Sequence, residues 1–361
     1  MAHNAVGRVF RSRSGLQQPS TLFRQIRNNS TSASKGIPSF GPVSTPELEK
    51  QLKYIREQLF VPMYMTERQR RLMFRPRYRE RLVEEQVKVT IGEEEFTLYP
   101  RIRQQLPSKE TVFSTMEGMK TPKDWENLIP LLIGLRKSNI AVHPASYEKW
   151  VRLAGKSGAT AVILELAKQT KRTGFTLSSY GVGLQLALSL YERAQAAGFK
   201  GEAVSTALRH AEQAAQVMNT PEHTNSEPLQ DPKRQPWFIG VCLQLSAAQA
   251  LEQQGGEDAA AKAASYARKL MGNWELVKTE SASEKWGHRD ELLQETVLIR
   301  GGLATALQVN SVSSDKNLRK QIQQRLKTLD DVISEQMKHL PSKFQENPTR
   351  GASFARALRA E

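Results

Sequence analysis

From residue 107 onward the chain carries apolar residues at i, i+3 and i+4 spacing, which is the pattern of one buried face on an α-helix. Prolines, glycines and polar clusters separate the segments, which are 107–117, 122–138, 144–155, 158–173, 177–197, 200–218, 235–254, 257–272, 288–308 and 315–339. Helices of this length joined by short turns pack as antiparallel neighbours. We therefore predict a mainly α fold, an α–α array of stacked helical hairpins.

One short region has the alternation of a β-hairpin instead. Apolar side chains alternate with polar ones on both sides of a turn at Gly92 and Glu93; the apolar members are Val87, Val89, Ile91, Phe96 and Leu98. A lone two-stranded hairpin is only marginally stable in water. We expect residues 86–106 to form a hairpin that leans on the rest of the fold.

Breaks in these patterns suggest the organisation of the chain. The predicted parts are a transit peptide (1–35), a linker with an arginine-rich extension (36–85), the hairpin (86–106), a helical-repeat-like domain (107–218), a loop (219–236), a second helical part (237–340) and a basic C-terminal tail (341–361). The loop contains four prolines and no apolar periodicity. We expect it to divide the helical body, and the tail either to dock on a partner or to fray.

Positive charge is concentrated at the N-terminal end. Eleven of the fifteen net positive charges lie at or before Arg81, and the rest of the chain shares the remaining four. Residues 1–46 hold six cations and no acid, whereas residues 66–81 hold seven arginines against Glu67 and Glu80. This asymmetry predicts a targeting segment, a nucleic-acid-seeking arm and a nearly neutral body.

The first cationic block has the composition of a mitochondrial transit peptide, rich in arginine and serine and free of acid. A disordered basic tail that is never cleaved is the alternative. No run approaches the roughly 20 apolar residues that a membrane span needs, since the best, Leu128–Leu135, has eight and contains a proline. We predict a protein of the mitochondrial matrix without a membrane span.

The second cationic block is the candidate binding site, the RNA-contacting extension. Arginine binds phosphate through counterion release and bidentate hydrogen bonds. The predicted phosphate ligands are Arg68, Arg70, Arg71, Arg75, Arg77, Arg79 and Arg81, with Phe74 and Tyr78 as wedges or stackers. Because Pro76 interrupts any helix here, we expect an extended, irregular arm. The alternative is a solvated helix neutralised by Glu84, Glu85 and Glu93 to Glu95.

No pattern indicates catalysis, a metal site or a cofactor. The triplet Gly155-Lys156-Ser157 lacks the earlier glycine of a phosphate loop, because position 150 is tryptophan. The six histidines show no ligand spacing, and one cysteine cannot complete a zinc site. We predict that the protein is not an enzyme, binds no cofactor and has no small-molecule substrate.

Residues 140–174 resemble a pentatricopeptide repeat. A proline precedes the first helix, Tyr147 lies early in it, the turn is Gly155–Gly158, and Tyr180 follows Tyr147 at close to one repeat period. The resemblance implies stacked helical hairpins of the tetratricopeptide and pentatricopeptide type. The positions that would help to read a base are Glu148 and Gly181. A carboxylate repels phosphate and glycine cannot hydrogen-bond a base edge, so base reading is not expected.

In overall layout and presequence style the chain resembles a fungal mitochondrial ribosomal protein, with the large subunit favoured. The resemblance implies a structural component that binds rRNA through the arginine-rich extension and neighbouring mitochondrial ribosomal proteins through the helical body. Two alternatives remain open at this point. One is a pentatricopeptide-like RNA-binding factor in mitochondrial RNA processing or translation. The other is a helical scaffold or assembly factor.

Overall fold

The computed structural model describes residues 36–102, 106–253, 255–258 and 260–360. The predicted transit peptide, residues 1–35, lies outside the described residues. From residue 36 onward the chain forms one compact unit. Within the described ranges, every helix is too short or too polar to cross a membrane.

Helices account for most of the fold, as the sequence predicts. They are α1 (Pro46–Ile55), α2 (Glu67–Phe74), α3 (Arg79–Glu85), α4 (Lys109–Glu117), α5 (Pro122–Glu126), α6 (Leu128–Lys137), α7 (Pro144–Lys156), α8 (Thr160–Lys168), α9 (Thr170–Thr173), α10 (Tyr180–Ala196), α11 (Gly201–Val217), α12 (Pro236–Gln253), α13 (Lys262–Gly272), α14 (Trp286–Ala306), α15 (Asn310–Ser313), α16 (Lys316–Lys338) and α17 (Arg350–Ala360). The predicted mainly α fold with helical hairpins is confirmed.

The predicted hairpin is also present. Strands β1 (Lys88–Ile91) and β2 (Glu94–Thr97) pair antiparallel, with Val89 opposite Phe96. Val89 is buried, as is Leu98 just beyond β2, whereas Lys88 and Thr90 are exposed. Burial of one face against the helices gives the hairpin the support that two strands alone lack.

Helix α12 is the centre of the core. All but a few of its residues are buried, because α10, α11, α13 and α14 surround it. It meets α14 at two glycines: a Cβ atom added to Gly302 would lie 2.4 Å from the carbonyl oxygen of Gly240. The two backbones therefore approach too closely for any side chain at this crossing.

The segment before α1 is fixed to the helical body. Asn127 accepts a hydrogen bond from the backbone of Gly41 over 2.7 Å, and Asp124 accepts one from the backbone of Ser44 over 2.7 Å. Asn127 and Asp124 are buried, at the end and in the first turn of α5. These contacts hold the first described residues against α5, which positions α1 and all that follows it.

The loop at 219–236 lies across the body and does not divide it. His223 is buried; its Nδ1 accepts a hydrogen bond from the backbone of Leu177 over 2.8 Å, and its Nε2 lies 2.9 Å from the hydroxyl of Thr170. The helices on either side, α11 and α12, pack directly against each other. The expectation of a dividing loop is therefore corrected: prolines break the helical pattern here without separating the packed helices.

The C-terminal residues form a docked helix rather than a free tail. Helix α17 packs against α14, and Asp290 accepts a hydrogen bond from the backbone of Ala352 over 3.1 Å. Arg350 donates to Glu192 over 2.6 Å and to Gln185 over 2.8 Å. The acids that hold this helix lie far away in sequence, so the local pattern of residues 341–361 could not reveal the docking.

Candidate nucleic-acid interface

The arginine-rich extension folds into two short helices around a proline. Thr66 and Gln69 form a reciprocal capping box that starts α2, with 2.8 Å from the backbone of Thr66 to the side chain of Gln69. Helix α2 ends before Pro76, which opens a 3₁₀ turn, Pro76–Tyr78, and α3 follows directly. Pro76 interrupts the helix as expected, but the predicted extended arm is instead a folded segment. We call residues 66–85 the arginine segment.

Buried side chains and one backbone hydrogen bond seat this segment on the body. Met73 in α2 and Leu82 in α3 are each 2% exposed. The carbonyl oxygen of Met73 accepts a hydrogen bond from the backbone of Arg101 over 2.8 Å. The same Arg101 donates through its guanidinium group to the carbonyl oxygen of Gln58 over 2.9 Å. One side of the arginine segment is thereby fixed, and the opposite side faces outward.

Six of the seven arginines are exposed, and Arg70 is half-buried. Arg71 pairs with Glu67, and Arg81 pairs with Glu85 over 2.8 Å. Arg77 lies over the ring of Tyr78, 4.6 Å from its centre. For the other four, the structure as described records no side-chain ion pair or hydrogen bond; they are Arg68, Arg70, Arg75 and Arg79.

Neutralisation by nearby acids accounts for little of this charge. Of the five acids proposed as partners, Glu85 binds an arginine of the segment. Glu94 pairs with Arg56 over 2.6 Å, and Glu95 pairs with Lys88 over 3.1 Å. Two of the three hairpin acids are thus engaged with cations outside the segment, which leaves most of its guanidinium groups available to an anionic partner.

The two aromatic candidates differ in their surroundings. Phe74 is half-buried and packs against the hydrophobic core. The hydroxyl of Tyr78 accepts a hydrogen bond from Arg77 over 2.6 Å, so ring and guanidinium form a stacked pair at the surface. Phe74 therefore positions the segment, whereas Tyr78 with Arg77 offers a planar cationic surface on which a base can stack.

Arg101 is the positioning residue that the sequence did not reveal. It lines a cavity of about 540 Å³ between α1, the arginine segment and β2. Burial lowers the pKa of Arg101 to about 10, with Glu57 acting in the opposite direction. An isolated arginine after a strand has no distinctive sequence pattern, so no local signal could have identified it.

Tyr147 and Tyr180, on which the resemblance to a pentatricopeptide repeat rests, are half-buried and packed against other aromatic rings. Tyr147 packs edge-on against Trp150 and Phe175, with ring centres 5.5 and 5.3 Å apart. Tyr180 packs against Trp237 at 5.3 Å. These rings contact other rings of the protein, which favours a packing role over stacking on RNA bases.

Glu148 and Gly181, the two positions of the repeat that could read a base, contact each other. A Cβ atom added to Gly181 would lie 2.3 Å from the carboxyl carbon of Glu148. Burial, followed by the charge of Glu291, raises the pKa of Glu148 above its usual range. Two positions packed together in this way cannot both present groups to a base edge.

A helical body with an exposed cationic segment fixed to its surface is suited to binding an anionic partner. Comparison with known proteins identifies the family: the model of mitochondrial ribosomal protein mS27 matches residues 25–357. The chain belongs to the mitochondrial ribosomal protein mS27 family. The predictions of a mitochondrial ribosomal protein, of a class that is not enzymatic, and of a matrix location are confirmed.

A curated relative adds one correction. The chain is 26% identical over 224 residues to the small ribosomal subunit protein mS27 of Neurospora crassa, which covers 58% of this chain and 56% of the relative. The chain thus aligns with little more than half the length of that protein. Because the relative is named as a protein of the small subunit, the preference for the large subunit is wrong. Composition and presequence style carry no signal that separates the two subunits.

Proposed function

We propose that this protein is a structural component of the small subunit of the mitochondrial ribosome, binding rRNA through the arginine segment and neighbouring ribosomal proteins through its helical body. The observation that carries the proposal is the group of outward-facing arginines, of which Arg75 and Arg79 are exposed and have no acid partner among the described residues. Guanidinium groups in this state bind phosphate without first breaking an internal ion pair.

The manner in which the segment is held supports binding rather than simple solvation. Met73 and Leu82 are buried, and the backbone of Arg101 binds that of Met73. The arginines are therefore presented on a fixed support, which lowers the conformational entropy lost when RNA binds. A solvated charged tail would need no such attachment.

The pentatricopeptide-like tract has a structural role in this proposal. Tyr147 and Tyr180 contribute to aromatic packing, and Glu148 and Gly181 pack together. These contacts favour a helical support over a base-reading array. The charge distribution points the same way, since most of the net positive charge lies before residue 82.

The test is sedimentation of a mitochondrial lysate through a sucrose gradient in Mg²⁺, at low and then high salt. Cells would carry the wild-type chain, the triple variant Arg75→Glu, Arg77→Glu, Arg79→Glu, or the control Arg75→Lys, Arg77→Lys, Arg79→Lys. We expect the wild-type chain to migrate with the small subunit at both salt concentrations. The charge-reversed variant should move to the top of the gradient at high salt, because repulsion replaces phosphate binding.

The lysine control separates charge from geometry. Lysine keeps the positive charge but loses the bidentate fork of arginine, so we expect intermediate retention. Normal, salt-resistant migration of the charge-reversed variant would exclude the arginine segment as the RNA contact. Migration of the wild-type chain at the top of the gradient at low salt would contradict the ribosomal proposal itself.

A further inference from the structure

We propose that the first half of α16 is a second RNA contact, which binds the phosphate backbone of a duplex independently of the arginine segment. This inference rests on the proposed function, since it extends the RNA contact of the same protein to another surface. The residues concerned are Lys316, Arg319, Lys320 and Lys327, here called the α16 basic face. All four are exposed.

Helical spacing brings these four cations together. Lys316, Lys320 and Lys327 are separated by four and seven residues, and Arg319 lies beside them, so all four occupy one side of the helix. The buried residues of α16, which include Leu318, Ile322 and Leu329, occupy the opposite side and pack towards α14. The α16 basic face extends for about 16 Å along the helix axis. Duplex nucleic acid presents several phosphates over that length.

The two cations in the first turn of α16, Lys316 and Arg319, oppose the helix dipole. Between Lys316 and Lys327 there are five cations and no acid, whereas Asp330, Asp331 and Glu335 lie in the second half. The N-terminal end of a helix carries partial positive charge, so cations there are unfavourable for folding. Asp315 caps the helix and binds the backbone of Leu318, but the first turn itself contains no acid. Cations at this end of a helix are expected where an external anion binds them and offsets their unfavourable interaction with the dipole.

In the second half of the same helix, charged side chains are paired within the protein. Lys338 pairs with Glu335 over 2.8 Å, and Asp330 pairs with Arg300 over 3.0 Å. The four cations of the α16 basic face, in contrast, have no ion pair within the described part of the chain. The cap residue Asp315 pairs with Arg268 over 3.4 Å rather than with a cation of the α16 basic face.

The composition of the face favours RNA over an acidic protein. Three of its four cations are lysines, which are depleted in protein–protein interfaces, whereas nucleic-acid interfaces are strongly positive and polar. Gln323 and Gln324 lie on the same side of the helix as the cations and are exposed. Their amides can hydrogen-bond ribose hydroxyls and phosphate oxygens. The exposed side chains from Lys316 to Lys327 are all polar, so the surface offers no hydrophobic anchor for a protein partner.

The experiment compares four purified full-length chains. Two are the wild type and the charge-reversed arginine-segment variant. The third is a triple variant called the face variant (Lys316→Gln with Lys320→Gln and Lys327→Gln), and the fourth is a triple control variant (Lys109→Gln with Lys123→Gln and Lys200→Gln). The three control lysines are also exposed but lie on separate elements. The control variant therefore loses the same charge as the face variant without a change to the α16 basic face. Binding to a labelled 20-base-pair RNA duplex is measured against KCl concentration. The same variants are followed on the sucrose gradient.

We expect the face variant to bind the duplex on the order of 10-fold more weakly or worse at 0.1 M salt. The slope of log affinity against log salt should fall by about three, one per lysine removed. Its midpoint of thermal unfolding should stay equal or rise, because Lys316 opposes the helix dipole in the first turn and repels Lys320 four residues later. The control should match the wild type in affinity to within a few-fold. Weaker RNA binding by a variant that is at least as stable would support the proposal.

Four results would overturn it. If duplex affinity is unchanged in the face variant but reduced in the arginine-segment variant, α16 is not an RNA contact. The proposed function would still stand in that case. Unchanged duplex affinity with release of the face variant from the small subunit would assign the surface to an acidic protein. Equal weakening in the face variant and the control would show that net charge alone matters. Failure of the wild-type chain to enter the small subunit would contradict the proposed function as well.

Discussion

The backbone N–H of Arg101 donates to the carbonyl oxygen of Met73 over 2.8 Å, which joins the end of the hairpin to the middle of the arginine segment. The guanidinium group of the same Arg101 reaches the carbonyl oxygens of Glu57 and Gln58, beyond the end of α1. One residue therefore connects three parts of the chain. The hairpin has a clear role in this arrangement, because it brings Arg101 to the support of the arginine segment.

Replacement of Arg101 by alanine should loosen the arginine segment. Two carbonyl oxygens lose their charged donor, and the expected cost is about 1–3 kcal/mol in the free energy of unfolding. Cleavage by trypsin after the exposed arginines of residues 66–85 should accelerate more than cleavage elsewhere. The matched control is Arg209→Ala on α11, and cleavage at the segment should not change there. Equal cleavage rates in the wild-type chain and Arg101→Ala would show that Arg101 does not hold the segment.

The glycine crossing in the core gives a second prediction, within a single helix. Gly302→Ala should destabilise the protein by about 1–3 kcal/mol, because the new methyl group would meet the backbone of Gly240, which cannot move aside. Gly287→Ala, in the first turn of α14, meets no atom within 4 Å and should be neutral or stabilise by up to about 1 kcal/mol. Urea unfolding of both variants measures the difference. Similar midpoints for the two would contradict the close approach of α12 and α14.

Most helices could be predicted from sequence because their signals are local. The segment expected at 144–155 is α7, Pro144–Lys156, which begins at a proline and ends at a glycine-containing turn. The segment expected at 257–272 begins later, at Lys262, where the side chain of Asp258 accepts a hydrogen bond from the backbone of Lys262 over 2.8 Å. A cap of this kind depends on side-chain geometry that apolar periodicity does not report.

The features that the sequence missed depend on contacts between distant parts of the chain. Helix α17 docks on Asp290 and Glu192, and both of these acids precede it by more than one whole helix. Arg101 supports a segment that lies on the other side of the hairpin in sequence. The composition of the arginine segment indicates RNA, but it cannot indicate which side is buried. For that reason the sequence predicted an irregular extension, whereas the structure has a folded segment there.

Asp124 gives a prediction for acid stability. Burial alone would raise the pKa of its carboxyl group, but hydrogen bonds from Thr121 and Ser44 outweigh it and hold the pKa at about 2, below its usual value of 3.8. A lowered pKa in the folded state means that the carboxylate stabilises the fold above about pH 4, and that this contribution, about 2 kcal/mol, is lost as pH falls towards 2. Urea unfolding of the wild type and Asp124→Asn should differ at pH 6 and converge near pH 2. A difference independent of pH would exclude ionisation as its source.

The last prediction separates packing from RNA reading in the pentatricopeptide-like tract. The hydroxyl of Tyr180 accepts a hydrogen bond from Trp237 over 2.9 Å and one from Lys278 over 2.8 Å, and it donates to the buried carboxylate of Glu295. Burial, followed by the charge of Glu295, raises the pKa of Tyr180, so the hydroxyl stays protonated as a donor. Tyr180→Phe removes that donor and should lower the free energy of unfolding by about 1–3 kcal/mol.

Affinity for RNA should not change in Tyr180→Phe at a temperature where the variant is folded. A base stacks on the ring of phenylalanine as well as on that of tyrosine, so the stricter comparison is Tyr180→Leu, which removes the ring. If Tyr180 packs as the structure shows, Tyr180→Leu is less stable again, yet binds RNA like the wild type once folded. Loss of affinity in folded Tyr180→Leu, with affinity retained in Tyr180→Phe, would instead identify Tyr180 as a base stacker and return the tract to the RNA-binding surface.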